Sequence, residues 1–508
     1  MRAAALCAAV QLLTAAACDP QARQDGRKES APITRKPHWA ACADQVPKPA
    51  GPSGVTRWEC ATVEVPVDWS TPGGERMKLA LIRARATGPG TRIGSLLINF
   101  GGPGDPGVTM LPAAVQSYKD FETLLTRYDL VSFDPRGSGR SRPVRCLDDS
   151  AQDEAYAADS TPDTPAEEAE LLRLARANTK ACAQRSGPML AYVGTRSTAR
   201  DLELLRQVLG DDNLFYAGFS YGTELGALYA HLFPHRVGRA VLDAVTNPAQ
   251  TPAQSALGQA KAFHLALRSF LASCARAEAP CPVGKDRALG ERRIRAMLSR
   301  LEHNPLPTND GRPLTQTRAL FGISQALYAE SYWPHLTAGL KEALGQGRGD
   351  ILLGLADSYT GRDVQGRYNS ARAARTATLC ADTQHRYTPR DVREALPTFR
   401  DASPVFGPHI AWTQLLLCTD WPISGRPNSP VTAVGSAPIL LIATTGDPAT
   451  PHSNLSPMAD QLGPRVAIAV TRRGNGHTAY GTSPCVTRLV NAYLLDGKRT
   501  RTGFTCTS

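Results

Sequence analysis

Short apolar runs separated by glycine- and proline-rich turns mark the first half of the chain. Residues 61–67 alternate apolar and polar positions, the period of a half-covered strand, and 77–83 is also strand-like. Residues 95–100, 128–133, 214–219 and 240–245 are unbroken apolar runs, the pattern of buried strands. Leu202, Leu205 and Leu209 recur at helical spacing; Thr198 with Asp201 predicts a capping box at the start of that helix, and Gly210 predicts its end. A second helix is expected over 224–232. Strands alternating with helices predict an α/β protein with a mostly parallel sheet.

Between residues 246 and 430 the alternation stops. Helical character dominates there, over 253–275, 288–301 and 317–344, and strand-like runs resume only at 438–443 and 465–470. A large helical insertion into one α/β domain accounts for this order better than a tandem domain. The expected division is therefore a first core part (58–245), a helical cap (246–430) and a C-terminal core part (431–508). No internal repeat is visible.

The start of the chain changes the setting. Met1-Arg2 is followed by a mostly apolar stretch ending in Ala15-Ala16-Ala17-Cys18, which predicts a secretory signal peptide over 1–17. Cys18 also fits a lipoprotein box, with Ala15 where Leu is usual, so both plain secretion and lipid anchoring to the outer face of the membrane stand as expectations. Residues 18–57 begin with a polar, Lys-, Arg- and Pro-rich linker. Of 12 cysteines, all but Cys7 and Cys18 lie beyond this leader, an even number that suggests disulfides in an exported chain. Pairing in sequential order, which gives five local loops, is the expected connectivity, and buried free thiols are the alternative. With no C-x-x-C pair and no clustered His, neither a metal nor another cofactor is expected. The formal charge of +11 is spread along the chain rather than clustered, which points away from nucleic acid. A monomer is expected.

Candidate chemistry concentrates at Gly218-Phe219-Ser220-Tyr221-Gly222, a G-x-S-x-G pattern between a strand-like run and a helix-like one. A strand that turns sharply into a helix leaves the serine Oγ exposed at the tip, and the following N–H, that of Tyr221, is placed to bind an oxyanion. A nucleophilic serine needs a base, and the base an orienting acid. Asp447 follows the strand expected at 438–443, and His477 follows the one at 465–470 in a Gly-rich loop. Both the order Ser, Asp, His and the placement after strands suit an α/β-hydrolase. The second oxyanion donor is expected from the loop Asn99-Phe100-Gly101-Gly102-Pro103-Gly104, at the Gly102 N–H.

Gly-Gly-Pro-Gly, Asp134-x-Arg136-Gly137-x-Gly139-x-Ser141, Gly-x-Ser-Tyr-Gly-Thr and Asp447-Pro-x-Thr450-Pro451 together resemble secreted actinobacterial tripeptidyl aminopeptidases, relatives of the prolyl iminopeptidases. The resemblance covers roughly 58–250 and 375–506. It implies an α/β-hydrolase fold with a large helical cap, a Ser220–Asp447–His477 triad, and peptide substrates with a free N-terminus. Such substrates need a carboxylate for their ammonium group, and Asp382 and Glu330 are the candidates in the cap, Asp382 preferred because Cys380, if bridged to Cys418, would hold it close to the re-entry into the core. Three departures from the family pattern bear on substrate preference: Asp105-Pro106 after the oxyanion loop, Glu224, expected to pair with an Arg, and Ala244 after Asp243. A carboxylesterase or lipase with the same triad is the alternative, and a silent surface-binding protein the third reading.

Overall fold

The computed structural model describes residues 35–42 and 57–507; the expected signal peptide, Cys18 and most of the linker lie outside the described residues. The strands are β1 (Ala40–Ala41), β2 (Glu59–Pro66), β3 (Arg76–Ala84), β4 (Gly94–Asn99), β5 (Tyr128–Phe133), β6 (Leu214–Phe219), β7 (Val237–Asp243), β8 (Ile439–Gly446), β9 (Ala467–Asn475) and β10 (Phe504–Cys506). They form a single sheet in the order β1-β2-β3-β5-β4-β6-β7-β8-β9-β10. From β5 to β10 every neighbouring pair is parallel, whereas β3 runs antiparallel to β2 and β5. This is the α/β-hydrolase fold.

Burial follows the sequence pattern. Every residue of β4 and of β5 is buried, as unbroken apolar runs require, while β2 alternates. The two edge strands β1 and β10 are only two and three residues long, too short to show a period. Helices Gly107–Ser117 and Pro484–Asp496 cover one face through Val108, Leu111, Val486 and Val490, which share a core with Leu96, Ile98 and Val470.

Between the end of β7 and the start of β8 the long elements are helices with their own core, built around Phe270, Leu340, Leu352, Phe406 and Trp412. A second excursion joins this layer. Helices Asp149–Ala157 and Pro165–Ser186 leave the sheet after β5, and Thr317 Oγ1 donates to the carbonyl of Ala158 at 2.6 Å. Thr179 Oγ1 donates to the carbonyl of Thr419 at 2.8 Å. The helical layer is thus assembled from two separate stretches of chain.

Two expectations about helices fail for definite reasons. The helix expected after Thr198 runs Thr195–Leu209 and ends in a left-handed Gly210, but Gly194 is its N-cap and no side chain caps it. Asp201 is instead fully buried, receiving Arg136 Nε and Nη2 at 2.7 and 2.6 Å and Trp69 Nε1 at 3.0 Å. A buried guanidinium demands a carboxylate more strongly than an exposed helix end does. The helical stretch expected over 317–344 is split into Gln316–Leu327 and Trp333–Gly345. Pro334 lies in the first turn of the second helix, where it has no N–H to continue the first. The break exposes the carbonyl of Tyr328.

The ten cysteines beyond the leader pair in sequential order: Cys42–Cys60, Cys146–Cys182, Cys274–Cys281, Cys380–Cys418 and Cys485–Cys506.

Candidate active site

Ser220 sits between β6 and helix Tyr221–Leu232 with φ 56° and ψ −123°, a left-handed conformation costly for a residue with a Cβ. A Cβ at Gly218 would lie 2.3 Å from the carbonyl oxygen of Gly222, so the turn closes only with glycine there. The Ser220 N–H donates to the main-chain carbonyl of Asp243 at 2.9 Å, which ties the elbow to the end of β7. The Tyr221 N–H opens the helix, where no intrahelical acceptor exists. The loop after β4 presses against this point: Gly101 has φ 108°, and a Cβ on it would be 2.7 Å from the carbonyl of Phe219 and 3.3 Å from the Tyr221 nitrogen. Gly102 beside it is exposed.

On the neighbouring strand ends, His477 Nδ1 lies 2.9 Å from both carboxylate oxygens of Asp447. Asp447 is buried, and it accepts from Ala449 N, Thr450 N and Thr450 Oγ1 at 2.8–2.9 Å, so its charge is held by donors as well as by the imidazole. Burial lowers the His477 pKa. The Asp447 carboxylate beside it, with Asp243 and Asp105 further off, more than offsets this and leaves it above the ordinary histidine value. The His477 N–H donates to the carbonyl of Tyr328 at 2.7 Å, and the Tyr328 ring stands edge-on to the imidazole at 5.3 Å between centroids. The helix break in the cap therefore anchors the histidine loop.

The C-terminal part of this site, residues 403–506, matches the model of a family described as "TAP-like protein". Over 483 residues the chain is 36% identical to "Serine protease Hip1" of Mycobacterium tuberculosis, covering 92% of this chain and 90% of the relative. It is 37% identical over 490 residues to "Carboxylesterase B" of the same organism, covering 95% and 92%. "Tripeptidyl aminopeptidase" of Streptomyces coelicolor is 30% identical over 481 residues, covering 92% and 85%. The chain belongs to the tripeptidyl aminopeptidase family. As a member of that family it is a serine hydrolase of the peptidase type.

Within this family member the two acids expected to bind an ammonium group differ in availability. Asp382 accepts from Thr195 N at 3.0 Å and from Thr195 Oγ1 at 2.5 Å, and the same hydroxyl lies 2.6 Å from the Tyr221 hydroxyl. Burial, with Glu224 adding to it, raises the Asp382 pKa to about 7. Its carboxylate is thus committed to the elbow's underside. Glu330 is exposed beside the histidine loop, and its Oε1 accepts from Asn475 Nδ2 at 2.6 Å. Among the described residues Glu224 does not pair with an Arg as expected. It accepts from Asn428 Nδ2 at 3.0 Å, and burial raises its pKa against that hydrogen bond.

Three further residues shape the site that sequence reading did not place. The Asp243 carboxylate accepts from Ala479 N and Tyr480 N at 2.9 and 2.8 Å, just past His477. Its position at a strand end was the only signal, and many strands end in Asp. Thr450 was visible in the Asp447-Pro-x-Thr motif but not its double donation. Tyr328 became legible only once the cap folded over the core.

Proposed function

We propose that this serine hydrolase is an exported exopeptidase that releases short peptides, tripeptides above all, from free N-termini through Ser220, His477 and Asp447. The observation that carries the reading is the buried Asp447 bonded to His477 Nδ1, on the strand ends next to the strained Ser220 elbow. With Nδ1–H held by Asp447, the other ring nitrogen, Nε2, is free to take the Ser220 proton as Oγ attacks the substrate carbonyl. The tetrahedral oxyanion is received by the Tyr221 and Gly102 N–H groups. His477 then returns the proton to the departing amine, and water releases the acyl group by the reverse sequence.

Glu330 is the acid left open beside the histidine loop, and we assign the substrate ammonium to it. The helical layer restricts access to chain ends. The five disulfides support an oxidising location, in keeping with secretion or anchoring at Cys18. Esterase action is the second reading, favoured by the relative named "Carboxylesterase B".

The deciding experiment compares a free tripeptidyl chromogenic amide, its N-acetylated form, a single-residue amide and a short-chain ester. The exopeptidase reading expects the free tripeptidyl amide to dominate and acetylation to suppress its turnover. Equal rates with and without the acetyl group reject it. Ser220→Ala is expected to abolish turnover of all four with the fold intact.

A further inference from the structure

Helix Ala371–Ala381 carries two arginines one turn apart, Arg372 and Arg375, on the face toward the oxyanion loop. The approach is close: a Cβ on Gly104 would sit 2.6 Å from the Ala374 Cβ and 3.2 Å from the Arg375 nitrogen. Both arginines line one cavity of about 600 Å³, which Pro106, two residues past that loop, also lines. Neither has a carboxylate within 4.0 Å among the described residues. Arg372 Nη2 donates to the carbonyl of Tyr359 at 2.7 Å, and its guanidinium lies 4.3 Å from the centre of the Tyr359 ring. Arg375 Nη2 donates to Gln414 Oε1 at 3.2 Å.

Two cations in one partly dehydrated cavity, without a counter-ion, repel each other. Burial and the Arg372 charge both pull the Arg375 pKa down, whereas at Arg372 the opposing pull of burial is more than offset by Tyr359, Tyr156 and Tyr328, which raise its pKa. By contrast Arg136 is paired with Asp201 and Arg312 with Asp357. The acids around the cavity do not fill the role. Asp134 is engaged by Val108 N and Arg140 N; Asp159 accepts from Thr161 N and Oγ1 on Oδ1 alone, its Oδ2 having no hydrogen-bond partner, and among the described residues neither carboxylate lies within 4.0 Å of the two arginines. Asp105 feels both arginines but stands beyond ion-pair reach. His409, on the wall, is held neutral by burial, which lowers its pKa to about 4. The remaining wall includes Tyr156, Phe321 and Tyr359, suited to a short aliphatic chain ending in a charge.

We infer that this cavity is a specificity subsite for a carboxylate, and that the enzyme prefers an acidic side chain in the peptide it releases. The geometry is that of two unneutralised guanidinium groups facing one space, which Pro106 and Thr109, shortly after the oxyanion loop, also line. Such a carboxylate would make charge-assisted, bidentate contacts where a neutral amide could not. The inference rests on the exopeptidase reading only for its peptide substrate, since an acyl group with a terminal carboxylate would use the same pair.

Two substrate pairs test it on the full-length enzyme. The first is a set of tripeptidyl amides carrying Glu or Gln at each position in turn. The second is p-nitrophenyl butyrate against the mono-p-nitrophenyl ester of glutarate. The expected result is a preference for the carboxylate-bearing member of about ten- to a hundredfold in kcat/KM at one peptide position. Arg375→Gln and Arg372→Gln should each bring that ratio close to one, and Arg375→Lys should keep part of it. Active enzyme is counted by fluorophosphonate titration, so a partly folded variant still yields its ratio. Equal rates for Glu and Gln at every position, with tripeptides cleaved, overturn the subsite and leave the exopeptidase reading standing. If no tripeptide is cleaved, the exopeptidase reading fails, and the glutarate-to-butyrate ratio alone decides the subsite.

Discussion

Asp243 holds Ser220 from one side and the histidine loop from the other. Its carbonyl accepts the Ser220 N–H at 2.9 Å, and its carboxylate accepts Ala479 N and Tyr480 N, two and three residues past His477. The spacing between proposed nucleophile and base therefore passes through one buried residue at the end of β7, by its main chain on the Ser220 side and by its side chain on the His477 side. Asp243→Ala is expected to lower kcat by about a hundredfold, the scale of an ångström of misplacement, with a smaller change in KM. Steady-state kinetics on the same substrate would check it; an unchanged kcat would remove Asp243 from the positioning of the site.

The same carboxyl gives stability a defined pH dependence. Burial raises its pKa from 3.8 to about 6. A carboxyl raised in the fold keeps its proton where the unfolded chain has lost it. Its contribution is therefore full below about pH 4 and is lost as pH climbs through about 6. Urea unfolding of wild type and Asp243→Asn at several pH values should show their difference changing by about 3 kcal/mol across that window. A constant difference would mean that the carboxyl is not raised.

Asp105 raises the His477 pKa from a distance, together with Asp447 and Asp243. Activity needs the neutral imidazole, so the acidic limb of kcat/KM should fall above the ordinary histidine value. Replacing Asp105 by Asn removes one negative charge that favours the imidazolium. The limb is expected to move to lower pH, read from a pH–rate profile; a shift upward or none would contradict the assigned field.

Tyr328 supports His477 with a carbonyl that side-chain replacement leaves in place and a ring that it does not. Tyr328→Phe should stay near wild type, whereas Tyr328→Ala should lower kcat/KM by about tenfold or more as the imidazole loses its wall. Equal activities of the two variants would show that the ring plays no part.

Stability should be most sensitive at the buried Arg136–Asp201 pair. Both side chains are fully buried, and Asp201→Ala leaves the guanidinium without its partner, an expected loss of about 3–5 kcal/mol in chemical denaturation. Removing Cys380–Cys418, which closes a 38-residue separation, should cost about 2–4 kcal/mol.

Much of this was written locally along the chain. Unbroken apolar runs determined the buried strands, glycine spacing and strand-to-helix order marked the Ser220 elbow, and Asp447 and His477 were legible because each follows a strand of the same sheet. Gly210 ended its helix as predicted because a left-handed C-terminus is a one-residue requirement. Each of these depends on neighbours a few residues away, which is why periodicity and turn chemistry suffice to find them.

What only the tertiary structure decided are relationships across large sequence separations. Asp201 looked like a helix cap and became the partner of Arg136; Asp382 looked open to substrate and is bound to Thr195 beneath the elbow. The 317–344 helix broke where the carbonyl of Tyr328 meets His477, and Arg372 with Arg375 became a site only when the cap helix came against the loop at Gly104. A charged or polar group takes whichever partner burial brings to it, since leaving it unpaired in a dehydrated interior costs more than any local preference. That partner is set by the three-dimensional packing of distant segments, and no window of sequence contains it.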